Sequence, residues 1–311
     1  MSELNTRNVS AQPRGSNGEL TRRFAPLVEP GWLAEHLTDP DLRIVDATVQ
    51  VSLKPLPRVR SGRRGWKRAH VPGATFADLR RLSDPHRPAR TFTLPSADWL
   101  AAGMGRLGIG NSLRVVLYDA RENMWAARLW WMLRAFGFDA AVLNGGWRAW
   151  QSEVRPSCSD ACGYPPAVFM PRPRSGLFVG KDEVLSAIDD PGTCIVCALG
   201  RRQYCGERRE YGLRRGHIPG AFNVNAWQIL DRETQRYRPI DELTELFGPI
   251  LDAESVITYC GSGIAASSVA FALHLLGHPN VAIYDGGFME WSADRRLPLE
   301  LGDRAAQGDE R

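Results

Sequence analysis

The residues Tyr259-Cys260-Gly261-Ser262-Gly263-Ile264-Ala265-Ala266 decide the fold of this chain of 311 residues. The β-branched run Val256-Ile257-Thr258 precedes them and predicts a buried strand. Apolar residues then recur at helical spacing from 265 to 276, and the pattern stops at Gly277, which predicts a helix and its end. Cys260 is therefore expected where a strand ends and a helix is about to begin.

The glycines of this loop suggest a chemical role for Cys260. Gly261 and Gly263 allow successive backbone N–H groups to turn inward, and the positive end of the helix dipole adds to them. Such donors stabilise an anion, so they favour the thiolate of Cys260, which is the nucleophilic form. The alternative is a structural cysteine buried at a strand end. The predicted anion-holding loop comprises Gly261, Ser262, Gly263, Ile264 and Ala265.

The stretch from Tyr259 to Leu276 resembles the active-site loop and following helix of the rhodanese-type sulfurtransferases, the thiosulfate and 3-mercaptopyruvate sulfurtransferase family. Its Cys-Gly-Ser-Gly sequence is similar to the mercaptopyruvate version of the loop. The resemblance implies that Cys260 takes sulfane sulfur from a small anionic donor, becomes a persulfide, and passes the sulfur to cyanide or a thiol. Thioredoxin or a low-molecular-weight thiol is the expected acceptor, and no cofactor is expected.

The second half of the chain repeats the first. His217-Ile218-Pro219-Gly220-Ala221 matches His70-Val71-Pro72-Gly73-Ala74, and Asp285-Gly286-Gly287 matches Asn144-Gly145-Gly146. Trp150 and Trp291 lie 141 positions apart (291 − 150), and the same offset aligns Asp119 with Cys260 (260 − 119). The two halves are therefore predicted to be copies of one α/β unit, with a mainly parallel sheet covered by helices on both faces.

The resemblance extends from Leu27 to Leu301 and implies two tandem rhodanese-like domains, of which only the second is catalytic. Asp119 has no thiol, so the first copy is expected to be a scaffold that walls one side of the cleft. We expect a disordered leader at 1–24, a non-catalytic domain at 25–152, a proline-rich linker at 153–174, a catalytic domain at 175–301 and a loose tail at 302–311.

Within the first copy, local patterns predict several elements. They are a short helix at 32–37, strands at 42–46 and 115–118, a helix at 124–136, and a basic irregular segment at 54–68.

The second copy departs from the family pattern where the donor should bind. That pattern usually reads Asp-Ala-Arg after the first strand, with a further arginine before an aromatic residue and glycine. Here the corresponding residues are Cys197, Leu199 and Gln203. Glutamine does not replace a planar guanidinium that binds an anion through two hydrogen bonds. The usual clamp for the donor is therefore missing.

Neighbouring residues are predicted to restore the positive charge. Arg201 and Arg202 lie in the same loop, and Arg68 ends a basic segment expected to border the cleft. The other basic residues of that segment are Arg58, Arg60, Arg63, Arg64 and Lys67. The resemblance to the mercaptopyruvate enzymes implies that Ser262 polarises the donor or relays a proton, with His70 of the first copy nearby. The alternatives are a solvated basic loop, a His70 ring that ties down its own turn, and a Ser262 that only forms the turn rather than polarising the donor.

Six cysteines occur: Cys158, Cys162, Cys194, Cys197, Cys205 and Cys260. Cys194 and Cys197 have the CxxC spacing of zinc and redox sites, and Cys158 with Cys162 would complete a metal set. However, Cys194 and Cys197 lie in a strand-like run, in which residues three apart point to opposite faces. We therefore expect reduced thiols and no metal, with Cys197 or Cys205 as an alternative acceptor of sulfur from Cys260.

Composition and charge exclude other classes of function. The formal charge of +4 predicts no nucleic-acid partner, and no apolar run approaches membrane-spanning length. The start of the chain lacks the apolar core of a secretory signal, so a cytoplasmic location is expected. A related phosphatase would need an arginine at position 266, which is Ala266. The remaining alternative is a sulfur carrier or protein-binding module with little turnover.

Overall fold

Two five-stranded parallel sheets organise the chain. The computed structural model describes residues 25–52, 58–88, 91–208 and 214–303. One sheet belongs to a first unit, residues 27–152, and the other to a second unit, residues 178–293. Helices flank both sheets, so the predicted architecture of two tandem α/β units is confirmed.

The first unit has its strands in the order β1-β7-β6-β2-β5. Its central strands are continuous apolar runs, as is typical of parallel strands that are buried on both faces. In chain order its elements are β1 (Leu27–Val28), α1 (Pro30–Glu35), β2 (Leu42–Asp46), β3 (Val49–Ser52), β4 (Arg58–Ser61), α2 (Arg63–Trp66), β5 (Ala74–Phe76), α3 (Leu79–Leu82), α4 (Ala97–Arg106), β6 (Arg114–Tyr118), α5 (Met124–Ala135), β7 (Ala141–Leu143) and α6 (Gly146–Ser152).

The second unit has its strands in the order β10-β9-β11-β12-β8. In chain order its elements are β8 (Phe178–Val179), α7 (Lys181–Ala187), β9 (Thr193–Cys197), α8 (Arg201–Tyr204), β10 (Phe222–Asn223), α9 (Ile240–Phe247), a 3₁₀ turn (Gly248–Asp252), β11 (Ser255–Tyr259), α10 (Ile264–Leu275), β12 (Val281–Tyr284) and α11 (Gly287–Ala293).

The repeat is visible in the geometry of the two units. Strand β11 follows β6 by 141 positions, whereas α10 follows α5 by 140, because the loop after β11 is one residue shorter than the loop after β6. Cys194 and Cys197 pack into separate hydrophobic clusters on the two faces of the second sheet, as the alternation along a strand predicted.

One local prediction was wrong. The segment 54–68 was expected to be irregular, but its described part contains β4 and α2, and β4 pairs antiparallel with β3. The physical reason is a two-residue alternation, in which Val59 packs towards the hydrophobic core while Arg58 and Arg60 stay exposed. Positions 54–57 and the predicted leader at 1–24 lie outside the described residues, as does the tail beyond 303.

Helices α5 and α10 pack against each other and join the two units. The indole N–H of Trp131 donates to the carbonyl oxygen of Ser267 at 3.0 Å, and the ring of Trp130 lies edge-on to Phe271 with centroids 4.9 Å apart. Both helices are apolar around most of their circumference, as a helix buried on all sides must be. In the described part of the chain, none of the helices has both the length and the apolar character needed to cross a bilayer.

Residues 153–174 connect the units without a helix or strand. The connector is nevertheless held along the first unit, because Ala167 donates its backbone N–H to Gly105 and Arg172 donates to Phe136. A single bridge pairs Cys158 of the connector with His70.

Candidate active site

Cys260 lies at the end of β11, with 3% of its surface exposed. Helix α10 begins four residues later, after Gly263, whose φ of +78° is left-handed and suits a glycine. Helix α11 supports the loop, since Phe288 donates its N–H to the carbonyl of Cys260 at 2.7 Å and Met289 donates to Gly261 at 3.1 Å. Because a trans peptide points its C=O and N–H in opposite directions, the N–H groups that follow these carbonyls point away from α11.

The equivalent loop of the first unit binds a carboxylate through backbone N–H groups. Asp119 directly follows β6 at the position equivalent to Cys260, and its carboxylate accepts four backbone hydrogen bonds. One oxygen accepts from Arg121 at 2.9 Å and Asn123 at 3.2 Å, and the other accepts from Trp125 at 2.9 Å and Ala126 at 3.0 Å. Burial is the largest influence on the pKa of Asp119 and raises it, while the four N–H groups oppose that rise.

The four donors have counterparts around Cys260. Asn123 and Gly263 are the left-handed residues that immediately precede the two helices. Counting from the strand end and from the helix start, the equivalents of Arg121, Trp125 and Ala126 are Ser262, Ala265 and Ala266. The predicted loop at 261–265 contains three of these equivalents, Ser262, Gly263 and Ala265. It lacks Ala266 and adds Gly261 and Ile264, and its role in holding an anion stays a prediction.

The first unit also places a buried cation beside the loop. The side chain of Arg128, on α5, is fully buried, and its Nη2 donates at 2.5 Å both to Asp285 and to the carbonyl of Phe92. Its Nη1 lies against Gly263, where it would come within 3.0 Å of an added Cβ atom. Nε and Nη1 of Arg128 have no hydrogen-bond partner within the described ranges.

Two equivalent hydrogen bonds, one from each unit, connect each unit to the loop region of the other. Leu94 donates its N–H to Asp285 at 2.8 Å, and Tyr237 donates its N–H to Asn144 at 2.9 Å. Asp285 and Asn144 precede the matching Gly-Gly pairs of the repeat. The first unit therefore walls the region around the Cys260 loop, which agrees with its predicted role as a scaffold.

Comparison with known proteins agrees with this geometry. The family model for the Rhodanese-like domain matches residues 29–153 and 201–294. The chain belongs to the rhodanese family. A 3-mercaptopyruvate sulfurtransferase of Escherichia coli (strain K12) is 36% identical to this rhodanese over 275 residues, which cover 86% of this chain and 95% of the relative. A thiosulfate sulfurtransferase of Rattus norvegicus is 34% identical over 297 residues, 92% of this chain and 96% of the relative.

A solved structure extends the similarity to three dimensions. The 3-mercaptopyruvate sulfotransferase SseA of Escherichia coli superposes on this rhodanese with a TM-score of 0.75 at 33% identity, covering 86% of this chain and 100% of that chain. This rhodanese is a sulfurtransferase.

The arginines predicted to bind the donor have other partners in this rhodanese. Arg201 and Arg202 begin the short helix α8, and their side chains are 70% and 76% exposed. Arg201 pairs with Asp303, and Arg202 pairs with Glu207 at 3.2 Å. Gln203, at the position of the missing arginine, accepts the N–H of Gly200 at 3.1 Å and so caps α8. That Arg201 and Arg202 take part in donor binding stays a prediction.

His70 and Arg68 lie in different surroundings although they are close in sequence. The imidazole of His70 is fully buried and contacts Trp66, Cys158 and Cys162, whereas Arg68 is exposed. The placement of His70 favours the interpretation that its ring ties down the chain locally. Ser262 is half-buried, whereas its neighbours Gly261 and Gly263 are buried.

Cys197 and Cys205 differ in burial. Burial is the main cause that raises the pKa of the Cys197 thiol to about 12, against opposing hydrogen bonds from Tyr259 and Leu199. Cys197 is therefore a neutral thiol at physiological pH and a poor nucleophile. Cys205 is half-exposed at the end of α8, and burial raises the pKa of its thiol too.

The signal that the sequence prediction missed is Arg128. It stands between Trp125 and Trp130 in the apolar helix Met124–Ala135. A charged residue that helical spacing places in a buried helix needs a partner, and this alone would have marked it.

Proposed function

We propose that this rhodanese moves sulfane sulfur from 3-mercaptopyruvate or thiosulfate, through a persulfide on Cys260, to cyanide or a thiol acceptor. Thioredoxin and low-molecular-weight thiols are the proposed physiological acceptors. The observation that carries the proposal is the set of four backbone N–H groups that binds the carboxylate of Asp119, because the equivalents of these four residues follow Cys260 in the second unit.

Cys260 has its sulfur at the position where Asp119 of the first unit has a carboxylate, and the proposed chemistry follows from this. Backbone donors arranged for a buried anion favour a thiolate at Cys260. The thiolate attacks the outer sulfur of thiosulfate, the S–S bond of the donor breaks, and sulfite leaves with the bonding electrons. With 3-mercaptopyruvate the C–S bond breaks instead, and the carbon that loses sulfur takes up a proton to give pyruvate.

The persulfide keeps the negative charge in the same place. Its terminal sulfur is anionic, so the donors that stabilise the thiolate also stabilise the intermediate. An acceptor thiolate or cyanide then attacks that sulfur and releases Cys260 as a thiolate. Arg128 contributes a fixed positive charge next to Gly263 throughout this cycle.

The proposed preference for one sulfur donor rests on the absence of charge in the loop after Cys260. Gly261, Ser262 and Gly263 are neutral, which favours a mercaptopyruvate-like donor over thiosulfate. Ser262, which is half-buried in the loop, is proposed to polarise the donor or relay its proton. Arg201, Arg202 and Arg68 are proposed to attract the carboxylate of the donor. A cytoplasmic location stays a prediction.

Mass spectrometry of the intact protein tests the persulfide. Incubation with either donor is expected to add one sulfur atom to the wild-type chain and none to Cys260→Ser, while Cys205→Ser still gains it. Donor turnover with cyanide or dithiothreitol then separates an enzyme from a carrier that loads sulfur without releasing it. Sulfur addition to the Cys260→Ser protein would contradict the assignment.

A further inference from the structure

A second group of sulfur and nitrogen ligands lies outside the Cys260 loop. Nε2 of His70 and the Sγ atoms of Cys158 and Cys162 all lie within 4.8 Å of one another. His70 follows α2, whereas both cysteines come from the connector at 153–174. The spacing along the chain suggested a set with Cys194 and Cys197, but the fold gathers these two cysteines around His70.

The backbone fixes these ligands in place. His70 donates its N–H to Cys158 at 2.9 Å, and Cys158 donates back to His70 at 3.1 Å. Two residues beyond Cys162, the hydroxyl of Tyr164 donates to the carbonyl of Gly73 at 2.9 Å. The connector is therefore anchored on both sides of the two thiols, so little conformational entropy remains to be lost when a ligand binds.

The imidazole is oriented as a ligand. Nδ1 of His70 lies 2.7 Å from the carbonyl oxygen of Trp66, which can only accept a hydrogen bond, so Nδ1 carries the proton. The ring also stacks on the indole of Trp66 with centroids 4.6 Å apart. The lone pair of Nε2 consequently faces the two sulfurs, and a carbonyl behind the other nitrogen is the usual support of a metal-bound histidine.

The two nitrogen–sulfur distances suit a tetrahedral ion. When a histidine nitrogen and a cysteine sulfur bind the same tetrahedral zinc ion, these two atoms are about 3.6 Å apart. Nε2 of His70 lies 3.3 Å from Sγ of Cys158 and 3.7 Å from Sγ of Cys162. The spacing of three residues between the two cysteines is also within the range found in zinc sites.

The second unit supplies an internal comparison. His217 holds the equivalent position, with Nδ1 3.0 Å from the carbonyl of Tyr204 and its ring stacked on that tyrosine. Its Nε2 faces a single carboxylate, that of Glu300, at 3.4 Å. The orientation of the imidazole is thus a property of the repeated turn, whereas the pair of thiols is particular to the first unit.

We propose that His70, Cys158 and Cys162 bind a thiophilic divalent cation of the Zn²⁺ type, with the fourth coordination position open to solvent. Nitrogen and thiolate sulfur are the ligands that zinc prefers, and two thiolates balance the charge of the ion. Binding releases the two thiol protons. His70 is buried while both cysteines are partly exposed, so the open position faces outward.

The test uses the full chain carrying Cys260→Ser, so that the loop thiol does not bind the metal and the result is independent of the proposed sulfur transfer. After reduction and removal of metal by a chelator, titration with Zn²⁺ is expected to show one ion per chain. Co²⁺ in its place is expected to give the near-ultraviolet charge-transfer band of a cobalt thiolate.

Removing a direct ligand, in Cys162→Ser or in Cys158→Ser, is expected to weaken Zn²⁺ binding by more than the roughly hundredfold that loss of an outer-shell partner costs. Two control variants, Cys205→Ser and His217→Asn, should keep the affinity and the stoichiometry. Cys162→Ser is expected to disturb the fold less than Cys158→Ser, because only Cys158 forms the backbone bridge with His70. Circular dichroism verifies that each variant is folded.

Equal affinity in the Cys158→Ser/Cys162→Ser double variant would overturn the proposal. So would a protein that binds no Zn²⁺ and instead loses two hydrogens on mild oxidation, through a Cys158–Cys162 disulfide. That second outcome would assign the pair to redox chemistry.

Discussion

The guanidinium of Arg128 in the first unit pairs at 2.5 Å with the carboxylate of Asp285 in the second, across an interface where the arginine side chain is fully buried. The same guanidinium nitrogen binds the carbonyl of Phe92, and the rest of the group lies against Gly263 at the start of α10. One ionic contact thus links the packing of the two units to the position of the loop that carries Cys260.

Breaking this pair from one side should be costly. In Arg128→Met the carboxylate of Asp285 loses its cationic partner and keeps only the N–H of Leu94, and we expect the free energy of unfolding to fall by about 3–5 kcal/mol. The double variant Arg128→Met/Asp285→Asn should recover part of that loss, because no uncompensated charge remains. Urea unfolding of the four proteins of the cycle measures the coupling.

The partly exposed pair of Arg80 and Asp78 serves as the control. There Arg80→Ala should cost no more than about 1 kcal/mol. If Arg128→Met and Arg80→Ala lower the free energy of unfolding equally, the buried ion pair between the units contributes no more to stability than an ordinary partly exposed pair.

Gly287 should not tolerate a side chain. Its φ is +59°, and an added Cβ would lie 2.7 Å from the carbonyl oxygens of both Cys260 and Gly261. Gly287→Ala is therefore expected to lower the unfolding free energy by about 2–5 kcal/mol and to displace the loop. The rate of sulfur transfer at a temperature where the variant is still folded should fall more than tenfold.

Gly277 provides the matched variant for this change. It has a similar φ of +82°, but an added Cβ would meet no atom within 4 Å. Gly277→Ala should cost only the backbone strain, about 1 kcal/mol, and should leave the rate unchanged. A comparable loss of activity in both variants would contradict the role assigned to the contact with the loop.

Asp46 should make stability depend on pH in the weakly acidic range. Burial raises the pKa of this carboxyl from 3.8 to about 6, against opposing hydrogen bonds from Thr48. Between these values the folded protein keeps a proton that the unfolded chain releases, so the contribution of Asp46 to stability falls as pH rises from about 4 to 6. The loss amounts to roughly 3 kcal/mol.

The variant Asp46→Asn cannot ionise and retains an oxygen that can accept the N–H of Thr48. Its stability relative to wild type should therefore increase with pH across that window and remain constant above it. Denaturant unfolding at closely spaced pH values provides the measurement. A difference that does not vary with pH would show that the carboxyl is ionised in the folded protein throughout.

The exposed arginines of α8 can be tested for donor binding. If Arg201 and Arg202 attract the anionic donor, Arg201→Ala/Arg202→Ala should raise the KM for 3-mercaptopyruvate about tenfold and leave kcat nearly unchanged, as the loss of one charge-assisted contact would. Arg80→Ala, which alters an ion pair in the first unit, is the control for unspecific effects of charge. An unchanged KM would remove both residues from the donor site.

Restoring the missing guanidinium is the complementary experiment. Gln203→Arg places an arginine where the family pattern has one, and the KM for both donors should fall several-fold because a guanidinium binds carboxylate and sulfonate groups through paired hydrogen bonds. The variant also removes the cap on Gly200, so a loss of stability of about 1 kcal/mol should accompany the gain. An unaltered KM would mean that donors bind without this position.

Periodic patterns made the strand–loop–helix unit around Cys260 predictable. Strand β11 and helix α10 appear within one residue of the expected boundaries at their start, and Asp119 was aligned with Cys260 from the repeat alone. The hairpin of β3 and β4 was missed, since four exposed or weakly apolar residues give little signal until they pair.

The amino-acid sequence by itself determined the two-copy α/β architecture, the position of the thiol and the absence of the usual arginines, because these depend on residue types and on spacing along the chain. Only the tertiary structure brought Arg128 to Asp285, 157 positions away, and His70 to Cys158, 88 positions away. Contacts over such separations arise from the order of strands in the sheets and from the packing of α5 on α10, and no local pattern of hydrophobicity or charge specifies which side chains will meet there.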